Sequence, residues 1–350
     1  MMITNNVRSR MASTARMTAG AVRFWMDGRT PGFAYQSMVG LFCMTGGTSN
    51  DTLSRLVSLL HPPYRLSDMY GVLGNLGAED ISRVILQLDQ KGHYVFERRL
   101  PSDFCDRLLQ FSLTNRCLQR GMSDVPEATE TREVERYPRK NPGGVRYDFS
   151  ARDVINNLDV QLLMADRSIL AVAQSYLRCS PILDVMSMWW HTAYSKVPDK
   201  DAAQFWHFDM DRIKWLKFFI YLTDVGTANG PHSFVEGSHR TGGIPDSLRL
   251  KGYVRLTDEE VEACYPRERF IEFTAPRGTV IAEDTRGLHK GKLVQWGDRL
   301  VLQLQFSNSL FGGYYPPSKL TRVESPELQA MIRRCSRLYS NYWREVDGPR

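Results

Sequence analysis

Two stretches of alternating side chains constrain this chain more than any other feature. In the first, Leu216, Phe218, Ile220 and Leu222 fall on one face of a strand; in the second, Leu300, Leu302, Leu304 and Phe306 do. Strand side chains alternate between faces, so each strand carries an unbroken apolar face that must be covered. A layer of helices can cover it. The opposite faces read Lys217, Phe219, Tyr221 and Arg299, Val301, Gln303, Gln305. Polar but bulky faces of this kind suit a wet sheet or the inner wall of a ligand cavity.

More β-type runs surround these two: residues 94–96, 182–194, 234–235, 270–273 and 279–282, with a turn at Asn229-Gly230-Pro231. Many short strands separated by turn residues predict a closed or double-sheet antiparallel fold such as a jelly roll. Helical spacing recurs at Ile81, Val84, Ile85 and Leu88, after Ser102-Asp103, over 159–177 and over 326–342. The expected class is therefore mainly β with flanking helices. Residues 1–80 read as an N-terminal extension, partly disordered and then helical, with a short helix from Asn50-Asp51 that Pro62-Pro63 ends. Residues 81–320 form the main domain, with a lid insertion at 240–268 carrying a short helix near 257–264. Residues 321–350 add a C-terminal helix. The polar 123–150 stretch reads as a long loop and a candidate lid.

Composition narrows the functional classes. The 350-residue chain has a net charge of +6, spread along its length, so no nucleic-acid partner is expected. No apolar run is long enough for a membrane helix, and no membrane partner is expected. Six cysteines are scattered without a paired motif, which suits reduced thiols and a cytoplasmic protein. Residues 1–26 hold four arginines and no acid, a composition that also fits an organelle-targeting segment. The oligomeric state is open.

The chemistry concentrates at Gln204-Phe205-Trp206-His207-Phe208-Asp209. On an extended strand His207 and Asp209 project from one face. An imidazole and a carboxylate are two members of the 2-His-1-carboxylate set that holds non-haem Fe(II). His289, after the strand at 279–282, is a candidate for the third. Arg299 follows at the start of the next strand. An iron centre that activates O₂ needs electrons, which oxidative decarboxylation of a 2-oxo acid can supply. The far carboxylate of such an acid calls for a fixed bidentate cation, a role that Arg fills.

With these residues in order, the chain over about 90–315 resembles the phytanoyl-CoA dioxygenase (PhyH) family of Fe(II)/2-oxoglutarate oxygenases. The resemblance rests on Gly92-His93-Tyr94-Val95, Gln204-x-Trp206-His207-x-Asp209, Leu216-Lys217-x-Phe219-x-Tyr221, Asn229-Gly230-Pro231-His232, Gly237-Ser238-His239, His289 and Gly297-Asp298-Arg299-Leu300. It implies a double-stranded β-helix (jelly-roll, cupin-like) core, iron on His207, Asp209 and His289, and 2-oxoglutarate on Arg299. Phe219 matches an aromatic wall of the co-substrate pocket, and Lys217 and Gln204 are further candidates there. Gly291 stands where some members carry Ser, so another contact must replace that hydroxyl. Related halogenases lack the carboxylate, so Asp209 favours hydroxylation of a small-molecule substrate. Arg139, Lys140, Arg146, Arg212, Arg240 and Arg255 make an anionic metabolite compatible. A cupin-like isomerase or hydrolase, and a non-catalytic binding module on the same fold, are the competing classes.

Overall fold

The computed structural model describes residues 2–121 and 131–342, with side chains from residue 8 onward. Eight residues of the candidate lid, 123–130, and residues 343–350 lie outside this range. Three helices open the chain: α1 (Met2–Asp27), α2 (Gly32–Thr45) and α3 (Thr48–Leu60). A small hairpin, β1 (Tyr70–Gly71) and β2 (Gly74–Asn75), leads to α4 (Ala78–Lys91), β3 (His93–Val95) and α5 (Ser102–Thr114). Next come β4 (Cys117–Arg120), β5 (Thr131–Val134) and β6 (Arg146–Phe149), followed by α6 (Ala151–Ile155), α7 (Leu158–Met164) and α8 (Arg167–Leu177). The main strands are β7 (Ile182–Thr192), β8 (Trp215–Tyr221) and β9 (His232–Val235). Two short helices, α9 (Asp246–Arg249) and α10 (Asp258–Glu262), occupy the insertion. The chain then runs through β10 (Phe270–Phe273), β11 (Val280–Glu283), β12 (His289–Gly291), β13 (Asp298–Ser307) and α11 (Pro326–Arg334).

Two antiparallel sheets face each other. The larger has the order β3-β11-β8-β13-β7-β6-β4-β5, the smaller β10-β9-β12. Trp189, Phe219, Tyr221, Phe234, Phe273, Ile281 and Val301 fill part of the space between them. This is the jelly-roll, double-stranded β-helix core that the alternating strands predict. Their apolar faces behave as expected: Leu216, Phe218, Ile220, Leu222, Leu300, Leu302, Leu304 and Phe306 are buried in one cluster with residues of α4, α5, α7, α8 and α11. At about 25 cal/mol per Å², such fully covered faces contribute roughly 1.5–3 kcal/mol per large side chain.

Three expectations need correction. The N-terminus is helical from Met2, not disordered, because Met17 and Phe24 of α1 pack with α2 in an apolar cluster. Gly20 permits the close approach, since a Cβ there would overlap that of Ala34. The described part of 123–150 is not a free loop: β5 and β6 flank β4 and extend the large sheet. Finally, the 159–177 helix is two helices, because Asp166 interrupts it and caps α8 through a hydrogen bond from the Ile169 amide.

Candidate active site

His207 and Asp209 lie on an extended segment just outside the named strands. It is tied to β12 by reciprocal backbone hydrogen bonds between His207 and His289, 3.0 and 2.8 Å, and to the preceding loop by Asp209 N–H donating to Thr285 O. One donor atom from each of His207, Asp209 and His289 lies within 4.8 Å of the others, and all three residues are buried. His207 Nε2 is 3.7 Å from Asp209 Oδ1, and His289 Nε2 is 3.4 Å from Asp209 Oδ2. In each histidine Nδ1–H donates to the carbonyl two residues earlier, Phe205 O at 2.8 Å and Gly287 O at 2.9 Å. That bond fixes the tautomer and leaves the Nε2 lone pair facing the other donors, as a metal-binding imidazole requires.

The apolar side of the same segment explains why it holds its place. Trp206, Phe208 and Met210 alternate with the candidate ligands. They are buried against Ala34, Met38 and Phe42 of α2 and against Ile244, Leu248 and Leu256 of the insertion. The Phe42 and Phe208 rings are 5.4 Å apart. The N-terminal extension therefore buttresses the segment from behind, a contact that no local pattern reveals.

The three candidate ligands open on a cavity of about 700 Å³, which Lys217, Phe219, Gln303 and Arg299 also line. Lys217 Nζ donates to Asp209 Oδ2 at 2.6 Å and lies 3.0 Å from Asp211 Oδ2. Burial alone would raise the Asp209 pKa, but Lys217 and His289 hold it well below the usual carboxylate range. Burial would lower Lys217, yet the two aspartates push it up, so the ammonium stays charged. For Asp211, burial and the neighbouring Asp209 prevail over Lys217 and raise the pKa. Burial, then His289, lowers His207 well below the ordinary imidazole value; for His289, Asp209 outweighs burial and raises it.

Arg299 sits deeper in the cavity wall and is 2% exposed. Strand register places it opposite His191, whose Nδ1 lies 2.9 Å from Arg299 NH2, and NH1 donates to Gly230 O. Burial pulls its pKa down, and its Nε has no hydrogen-bond partner among the described residues. Buried guanidinium N–H groups are rarely left unmatched, so the wall is short of one acceptor. The donor set of two imidazoles and a carboxylate, the fixed tautomers and this incompletely paired guanidinium together fit an iron ion with a 2-oxo diacid. A Cβ at Gly291 would come within 3.1 Å of Arg299 NH2, so a larger residue there would crowd the guanidinium.

The remaining candidates separate clearly. Gln204 does not reach the cavity wall: its Oε1 accepts from the Asp199 amide and closes the 199–204 turn, whose Ala203 bonds to Gly291 N. Arg146 and Arg255 line the cavity, and so does Arg120, which the sequence did not single out. Arg120 and Arg146 share Asp148, and Arg146 lies 4.7 Å from the Trp189 ring centroid. Arg212 is buried on Asp184, Arg139 pairs with Asp298, and Arg240 lines a different cleft. Sequence reasoning also missed Asp211, although its place two residues beyond Asp209 continues the same alternation. His191 carries no local signal, whereas His232, part of the Asn229-Gly230-Pro231-His232 match, lines the cavity and is paired with the buried Glu283. Asp284 and Arg286 form a buried ion pair at 2.7 Å in the loop before His289.

Among solved structures, EctD from S. alaskensis, with 2-oxoglutarate and 5-hydroxyectoine, is 17% identical; the match covers 77% of this chain and 93% of that one, with a TM-score of 0.45. HygX from Streptomyces hygroscopicus, with nickel, 2-oxoglutarate and hygromycin B, is 16% identical over 73% and 94%, with a TM-score of 0.41. The epimerase SnoN from nogalamycin biosynthesis is 14% identical over 66% and 83%, also at 0.41. No curated protein matches the chain. The family model for Phytanoyl-CoA dioxygenase (PhyH) matches residues 89–293, more than half of the chain. This span holds the three clustered donors and stops before Arg299. The chain belongs to the phytanoyl-CoA dioxygenase (PhyH) family of oxygenases, whose cofactors are Fe(II), 2-oxoglutarate and O₂.

Proposed function

We propose that the protein is a hydroxylase of an unactivated C–H bond in a small anionic metabolite, with His207, Asp209 and His289 as iron ligands and Arg299 as the anchor of 2-oxoglutarate. Residues 81–320 are the catalytic unit in this reading. The observation that carries it is the placement of three clustered donors and an incompletely paired buried arginine on one cavity. Bound iron and 2-oxoglutarate, together with O₂, would supply an oxidant for C–H bonds, one oxygen atom ending in succinate, formed with CO₂, and the other in the hydroxylated product.

The chain's own residues do the positioning. Lys217 takes one oxygen of Asp209 and leaves Oδ1 free for a metal, while its charge keeps the carboxylate ionised. Phe219 adds an apolar face to the cavity that the triad and Arg299 line, which would help exclude water from the co-substrate. Arg146 and Arg255 set the charge of the outer cavity. On this lining Arg120, Arg146 and Arg255 stand against Asp148 and Asp201, a surplus of one positive charge. An anionic substrate group is the complement of that wall. Asp209, by filling the third ligand position, favours hydroxylation over halogenation.

Anaerobic titration of the Fe(II)-loaded protein with 2-oxoglutarate tests the assignment. A metal-to-ligand charge-transfer band is expected, and Arg299→Gln should weaken 2-oxoglutarate binding by roughly 10- to 100-fold, the worth of a charge-assisted bidentate contact. Asp209→Ala should abolish substrate-independent succinate formation. No band, or succinate formation unchanged in the Asp209 variant, would sink the proposal in favour of a cupin-like enzyme or a binding module.

A further inference from the structure

We propose that a polar cleft on the far side of the large sheet from the triad is a second ligand site, which binds a small oxyanion of phosphate type. Lys214 immediately precedes β8 and alternates onto the face opposite Lys217 and Phe219. It lines a cleft of about 350 Å³ between α3, the C-terminal end of α8, the 239–241 turn and the loop that carries Arg286. No residue lining this cleft lines the cavity at His207.

Charge accounting points to an anion. The cleft presents Arg55, Arg178, Lys214, Arg240 and Arg286 against Asp51 and Asp89. The acids are already engaged. Asp51 is 2.8 Å from Arg286 and accepts from Thr241, and Asp89 faces Arg178 at 3.6 Å. Asp284, buried behind, is bound by Arg286 and by the Tyr176 hydroxyl. Lys214 is left without a carboxylate within ion-pair distance among the described residues. Its ammonium instead lies 4.4 Å from the Tyr176 ring centroid. Burial, then the neighbouring Arg286, lowers its pKa to about 8, the mark of a cation short of counter-charge. Counting Asp284, five cations stand against three acids, a difference of two charges. A phosphate carries that charge near neutral pH and fits a cleft of this size.

Thermal unfolding of the full chain tests the site, with inorganic phosphate and glycerol phosphate compared with chloride at matched ionic strength. Either phosphate should give a saturable rise in Tm. The stronger response identifies a free anion or a phosphomonoester as the natural form. Lys214→Met should lower the affinity about tenfold or more. Arg240→Gln, an exposed change that does not disturb the fold, should weaken it less. Arg299→Gln should keep the response, which separates this cleft from the co-substrate pocket. A chain that responds to neither phosphate, or an Arg240→Gln variant that responds like the parent with Lys214→Met equally unchanged or unfolded, overturns the proposal.

Discussion

Lys217 holds two buried carboxylates, Asp209 and Asp211, with a single ammonium. Two such acids a short distance apart cannot both stay ionised without it. Lys217→Met should therefore cost about 3–5 kcal/mol of stability, the usual penalty of leaving a buried charge unpaired. It should also weaken Fe(II) binding by roughly 10–100-fold, as loss of an outer-shell partner does. Chelator competition and denaturant unfolding would check both; iron affinity equal to the parent's would exclude Lys217 from the site. At this scale the sequence was informative where one alternation rule sufficed. It put His207 with Asp209 and Lys217 with Phe219. It was silent on the His191–Arg299 pairing, because that depends on strand register, and register is not written in either strand alone.

Among the elements, α2 has the least expected role. Its residues Ala34, Met38 and Phe42 are buried against Phe208 and its neighbours. Phe42→Ala should cost about 3–5 kcal/mol if the cavity does not collapse. It should also lower iron occupancy, since the candidate ligands alternate with the residues that lose their support. Metal analysis of the purified variant would show this; full occupancy with lowered stability would mean that the buttress is structural only. The helical spacing of α3, α4 and α5 was legible because an amphipathic stripe is a local signal. α2 was missed because it is apolar nearly all round, buried on one side by α1 and on the other by the ligand segment.

For the whole molecule, a buried network ties three distant parts of the chain together. Asp51 of α3, Arg286 and Asp284 before β12, and Tyr176 of α8 are joined by bonds of 2.5–2.8 Å. Burial would raise Asp284, but Arg286 holds it far below its ordinary value of 3.8. A depressed folded-state pKa gives stability that is complete above the ordinary value and is lost as pH falls through it towards the folded one. Unfolding free energy should thus begin to drop at about pH 5 and keep falling well below about pH 3, towards the depressed folded-state value. The drop should be smaller in Asp284→Asn, which has already lost that contribution. Parallel pH curves for the two proteins would show that the network adds nothing through ionisation.

The sequence by itself determined the β-rich class and the two apolar strand faces, and it singled out the His-x-Asp pair with His289 and Arg299 as its candidate partners. Each rests on a local period or on a residue type whose chemistry has few uses. Only the tertiary structure decided which arginines reach the cavity, that Gln204 closes a turn instead, and that residues 131–134 and 146–149 extend the sheet. It alone put the N-terminal helices behind the ligand segment. These outcomes depend on register and on packing between segments far apart in the chain, where the free energy of burial is shared by residues that no local pattern can pair.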